Sequence, residues 1–230
     1  RKGKTRNENG LREKSPSAVL KAPAFLDIGG LGGARYRDLL FFDLGEYEGA
    51  KIEKATLSLY WYYPAGVSRL ENTIVEVYRP ASSWTSDFVS WNNREKNTSW
   101  ANPGGDWIDK IGIPQGNTPF ASFEIRGMDL PDNKYYELDI TELVRGYAEG
   151  KYENTGLLLK AKQEDSNYIA FYSAKAGGPE KEPKLKISIT EDVYTASIMI
   201  QCKSLLEAQA LAGDLRAHIG SREIEIYSKV

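Results

Sequence analysis

From Ala18 to Thr190 the chain changes between apolar and polar residues in short runs with a period of two. The clearest run is Glu53 to Tyr63, where Ala55, Leu57, Leu59 and Trp61 alternate with Thr56, Ser58, Tyr60 and Tyr62. Such alternation is what a strand with one buried face requires. Further strands are expected over 19–21, 25–28, 35–44, 73–78, 120–126, 135–140, 156–162, 168–173 and 185–189, with Gly29–Gly33 closing the second of these. Gly, Pro, Asn and Asp punctuate the gaps. One short helix is predicted after Thr141, capped by that threonine and stopped at Gly150. Many short strands without intervening helices predict a mainly β chain, an antiparallel jelly-roll-like β-sandwich over 18–190.

Both ends read differently. Residues 1–17 carry Arg1, Lys2, Lys4, Arg6, Arg12 and Lys14 against Glu8 and Glu13, which predicts a solvated basic arm. Residues 191–230 predict a β-α-β appendage: a strand over 195–202, a helix begun by Ser204 with Leu205, Ala208, Ala212, Leu215 and Ile219 at helical spacing, and a strand over 223–227. Two strands are too few to stand alone, so this unit is expected to need strand neighbours, for instance in a homo-oligomer. Cys202 and His218 are expected to pack inside it.

Charge and composition narrow the chemistry. Thirty Lys+Arg against 32 Asp+Glu, a net charge of −2, argue against a dedicated nucleic-acid binder. No run is long and apolar enough for a membrane span. One Cys and one His rule out an intramolecular disulfide and argue against a Cys/His zinc cluster. Carboxylates are plentiful, yet no spacing predicts a glycosidase pair. Fourteen tyrosines suit half-exposed strands and sugar-contacting faces.

Several residues are candidates for ligand contact. Arg35 and Arg37 share a strand face, with Lys21, Arg12 and Lys14 nearby in sequence; guanidinium forks match carboxylates, so this cluster suits acidic glycans unless Asp27, Asp38 and Asp43 neutralise it internally. Tyr60 and Tyr62 form a stacking strip if their face is open. Trp84 and Trp91 are expected to plug the end of a core, whereas Trp100 and Trp107 flank a long loop where sugar stacking and packing are both open. Asp27 with the glycine-rich loop, or Asp132-Asn133, offers oxygen ligands for a structural Ca²⁺; no other cofactor is expected. Asn97-Thr98-Ser99 is a lone glycosylation sequon.

An ordered set of motifs adds a resemblance. Glu8-Asn9-Gly10-Leu11-Arg12-Glu13 is followed by Phe25-Leu26-Asp27-Ile28-Gly29-Gly30, Arg35-Tyr36-Arg37-Asp38, Leu57 to Pro64 and Val77-Tyr78-Arg79-Pro80-Ala81. Then come Ser83-Trp84, Ser90-Trp91-Asn92, Gly104-Gly105-Asp106-Trp107, Tyr136 to Thr141, Lys151 to Gly156 and Ala170-Phe171-Tyr172-Ser173. In this the chain resembles the DNRLRE, or disaggregatase-related, repeat family of secreted archaeal and bacterial proteins, with Glu8 and Gly10 standing where the family's hexapeptide has Asp and Arg. The resemblance implies a carbohydrate-binding-module-like sandwich, exported or at the cell surface and not itself an enzyme, whose partner is a polysaccharide or surface glycan. The competing expectation is a structural surface, sheath or filament subunit that assembles through residues 191–230 or the N-terminal arm.

Overall fold

The computed structural model describes residues 2–3, 5–62, 72–126, 133–190 and 202–219. The strands are β1 (Lys2–Gly3), β2 (Thr5–Arg12), β3 (Leu20–Lys21), β4 (Phe25–Leu31), β5 (Ala34–Phe42), β6 (Ile52–Tyr60), β7 (Thr73–Pro80) and β8 (Asn93–Glu95). They continue with β9 (Thr98–Ser99), β10 (Trp107–Ile108), β11 (Ala121–Ile125), β12 (Tyr135–Asp139), β13 (Leu157–Ala161), β14 (Ile169–Tyr172) and β15 (Lys184–Ile189). The helices are α1 (Thr141–Ala148), α2 (Ala174–Lys181) and α3 (Leu205–Ile219).

The chain divides into two compact units, Arg1–Glu191 and Asp192–Val230. In the first, two antiparallel sheets face each other. The smaller has the order β1-β15-β6-β12; the larger runs β10-β7-β13-β5-β2-β3, with β11 on β7 and β4 joining β5 to β14. Period-two alternation sends Ala55, Leu57, Leu59 and Trp61 into the core from the small sheet. Leu40, Phe42, Val75, Val77, Leu157, Leu159 and Phe171 meet them from the large one. The face predicted from the β6 pattern is the face that is buried.

The large sheet is buried on both sides. Leu11, Leu39, Tyr78 and Leu158 point away from the sandwich core and meet Val89, Trp91, Trp100 and Trp107, with Trp84 packed alongside. The segment between β7 and β11 therefore lies over the sheet as a cap with a core of its own. The indole N–H groups of Trp84, Trp100 and Trp107 donate to the carbonyls of Thr155, Ser90 and Gly116 at 2.9, 3.0 and 2.9 Å. A buried indole needs such a partner, and here each comes from the chain itself. Gly104, at φ +92°, brings its carbonyl under Arg37; a Cβ there would stand 2.7 Å from the Trp91 ring.

Three sequence expectations change. Residues 5–12 are not an arm but β2, inside the large sheet between β5 and β3. Their polarity hides the strand, because Glu8, Asn9 and Arg12 are buried against polar partners. The strand begun at Phe25 runs on through Gly29 and Gly30 to Leu31, since a side chain at Gly30 would overlap the Glu164 backbone. Helix α1 starts at Thr141, but the capping acceptor is Asp139, which takes the Thr141 N–H at 2.9 Å and its hydroxyl at 2.5 Å.

In the second unit α3 begins as predicted: the Ser204 hydroxyl accepts from Glu207 N at 3.2 Å while Glu207 accepts from Lys203 N at 2.8 Å. Cys202 is half-buried. Most of the strand expected over 195–202, and all of that over 223–227, lie outside the described residues. No described helix is long and apolar enough to cross a membrane.

Candidate functional site

The basic cluster is divided by the sheet that carries it. Arg12 pairs with Tyr36 and Leu11 with Arg37, so Arg12 lies on the inner face while Arg35 and Arg37 lie on the outer one. Arg12 is 8% exposed; its Nη2 is 2.8 Å from Asp27 Oδ2 and 3.3 Å from Asp38 Oδ1, and its Nη1 donates to the Arg37 carbonyl at 2.7 Å. Burial drives the Asp38 carboxyl well above the usual carboxylate range, with Arg12 opposing. Arg37 is 4% exposed and grips Glu164 with two bonds of 2.7 Å. Neither guanidinium is open to solvent, and both of these ligand-contact candidates are engaged by partners within the chain. Arg35 is half-exposed but forked onto Glu13 at 2.8 and 3.0 Å, which lowers the Glu13 pKa. Lys21 reaches Asp87 at 2.5 Å, both exposed.

Trp107, the remaining candidate on the cap side, is 8% exposed and packs between Tyr78 and Arg37. Asp27 has both oxygens engaged as acceptors, by Arg12 at 2.8 Å and by the Tyr168 hydroxyl at 2.6 Å. Asp132 lies outside the described residues. Among the described residues no three His, Cys, Asp or Glu side chains gather as a metal site.

Tyr60 and Tyr62 have a different setting. The outer face of the small sheet carries Lys54, Thr56, Ser58 and Tyr60 of β6, Tyr135, Glu137 and Asp139 of β12, and Lys184, Lys186 and Ser188 of β15, in cross-strand register. All are exposed or half-exposed. At its Tyr60 end five half-buried rings adjoin. Tyr135 meets Tyr60 edge-on at 4.9 Å, Tyr60 meets Tyr172 at 5.7 Å, Tyr172 meets Tyr62 at 4.9 Å, and Tyr62 stacks on Phe25 at 4.3 Å and 13°. The strip draws on β4, β6, β12 and β14, so the sequence pattern exposed only its two β6-derived members.

Two ammonium groups sit on these rings. Lys181 Nζ is 5.3 Å from the Tyr60 centroid and 4.9 Å from that of Tyr172, and Lys184 Nζ is 4.8 Å from Tyr135. Hydroxyls fix the ring planes: Tyr60 donates to the Asn133 carbonyl at 2.8 Å and Tyr135 to that of Glu180 at 2.5 Å. The arrangement offers flat apolar faces beside positive charge, which suits the C–H face of a sugar ring bearing an anionic group.

Helix α2, which carries Lys181, is held at its start by β2. The Ala174 N–H donates to both oxygens of Glu8, at 3.1 and 3.0 Å, and Ser173 caps the helix. Burial pushes the Glu8 carboxyl up to about 7, with Glu182 adding to the rise and the Ala174 bond opposing it. A raised folded-state pKa means that the folded chain holds the proton more tightly. Its contribution is therefore full below the ordinary pKa near 4.5 and is lost as pH rises through about 7. Glu8→Gln should match the parent near pH 4.5 and be the more stable by up to about 3 kcal/mol at pH 8. Urea midpoints across that range check this; equal midpoints at pH 8 would refute it.

The disaggregatase related repeat domain matches residues 8–187. No curated protein matches the chain.

Proposed function

The chain belongs to the disaggregatase related repeat domain family, and from that premise we propose that its sandwich is a non-catalytic, extracellular carbohydrate-binding module for an anionic polysaccharide or surface glycan. The observation that carries the reading is the strip Phe25–Tyr62–Tyr172–Tyr60–Tyr135 with Lys181 and Lys184 against its rings. The other large face of the sandwich is closed by its tryptophan cap, so the small sheet offers the sugar its open surface. Lys54, Lys184 and Lys186 extend positive charge along that surface, against Glu137 and Asp139.

Calorimetric titration with a polyuronate and with a neutral glucan tests the proposal. Binding of the polyuronate should weaken as salt rises, because solvated charges are screened within about 10 Å at 0.1 M. Tyr172→Ala should cost about tenfold in affinity, or roughly 1.4 kcal/mol, and Lys181→Ala should flatten the salt dependence. No heat with any glycan at low salt, from folded protein, would discard the reading.

A second reading, a self-assembling surface subunit, is favoured by the exposure of Leu205 (65%) and Leu206 (78%) on α3. Light scattering on the titrated samples separates the two, since a particle of one chain's mass at high concentration removes it.

A further inference from the structure

The small hairpin of the cap presents a residue that the glycan-binding reading does not use. Strands β8 and β9 pair antiparallel, with Asn93 opposite Ser99 and Glu95 opposite Thr98, and Lys96 and Asn97 form the turn. Asn97 is exposed and takes φ +58°, a conformation that asparagine tolerates at turn tips. Among the described residues its carboxamide makes no hydrogen bond. Ser99, two positions on, is exposed, its hydroxyl donating only to the Asn93 side chain at 3.1 Å.

We propose that Asn97 is the acceptor of an N-linked glycan. Of the eleven asparagines, Asn97 alone begins an Asn-x-Ser/Thr triplet, and it stands at an exposed turn tip. Asn9, by contrast, is fully buried and bonded to Ser86. A second feature adjoins the turn: the Phe88 ring, 43% exposed, lies 5.9 Å from Nζ of the turn residue Lys96. An exposed aromatic ring in contact with the residue that precedes the acceptor offers a sugar an apolar face.

The donor is a lipid-phosphate-linked oligosaccharide. Asn97 Nδ2 forms a bond to the anomeric carbon, and the bond from that carbon to the phosphate oxygen breaks. The lipid phosphate leaves with the electron pair, and Nδ2 gives up one proton. The glycan projects from the cap over the large sheet. The aromatic strip belongs to the far side of the sandwich, so modification should leave polysaccharide affinity unchanged.

The inference rests on the reading of the chain as exported, so the test supplies export. The full chain, fused to a secretion leader, is produced in a host that N-glycosylates secreted proteins, and its peptides are mapped by mass. The peptide containing Asn97 should carry sugar in the major fraction of molecules. Asn97→Gln and Ser99→Ala should abolish the modification, and Ser99→Thr should keep it. Folded, exported protein with unmodified Asn97 overturns the proposal. Occupied Asn97 in protein that binds no glycan leaves this inference standing while the binding reading falls.

Discussion

Arg12→Met should cost about 3–5 kcal/mol at pH 8, as removal of one member of a buried ion pair does. The guanidinium is the only cation within ion-pair distance of Asp38 among the described residues, and that carboxyl is 0% exposed with its Oδ2 accepting no hydrogen bond. Without Arg12 the carboxylate has two outcomes: to stay charged at the cost of its lost solvation, or to take up a proton. Burial already raises the Asp38 pKa; removing Arg12 deletes the charge that opposes the rise. The folded variant will therefore hold that proton more tightly. A group with a raised folded pKa is at its best below its unfolded value and loses stability as pH climbs, so the deficit should be smaller near pH 5 than at pH 8. Adding Asp38→Asn should recover part of the loss. Urea denaturation of the parent and the two variants at both pH values gives the answer. A deficit below about 1 kcal/mol at pH 8, with the fold intact and polyuronate affinity reduced, would make Arg12 a ligand group, as its place in the basic cluster suggests from sequence.

The contrast between Arg12 and Tyr60 shows where the sequence is legible. Periodicity reports burial, so β6 and the opposing strands can be read wherever one face is apolar. It fails at β2, where Glu8, Asn9 and Arg12 are buried with polar partners and look like a solvated tail. It also fails to sort cations by destination: Arg37 faces Glu164, 127 positions away, and no local pattern announces that partner. The strip is half legible for a related reason. Tyr60 stands out in its alternation, whereas Phe25, Tyr135 and Tyr172 lie at the ends of three other strands, and pairing alone gathers them. Trp91 packs in a core as its sequence context predicts, whereas Trp100 and Trp107, whose loop leaves packing and sugar stacking both open, are buried with it under the cap over Leu11, Leu39 and Leu158.

Arg37→Met should loosen that cap before it unfolds the sandwich. The guanidinium holds both oxygens of Glu164 at 2.7 Å, donates to the Gly104 carbonyl at 2.9 Å, and lies 5.1 and 5.4 Å from the rings of Trp91 and Trp107. With Glu164 half-buried beside it, the substitution leaves a carboxylate short of its cation and a buried carbonyl short of its donor. Losses of this kind run to about 3–5 kcal/mol. Lys160 moderates the effect, because its ammonium is attracted by Glu164 and Glu76 and repelled by Arg37; burial is the main cause of its lowered pKa. The sandwich core contains neither Arg37 nor its partners, and its apolar contacts remain. The expected signature is therefore local. Tryptophan emission should shift to the red and amide exchange across 84–107 should quicken, while the amides of β6 and β15 keep their protection. A double-mutant cycle with Glu164→Gln should return a coupling of about 1–3 kcal/mol. Coupling near zero, or exchange that quickens equally in both sheets, would mean that Arg37 does not fasten the cap and that the two cores unfold as one.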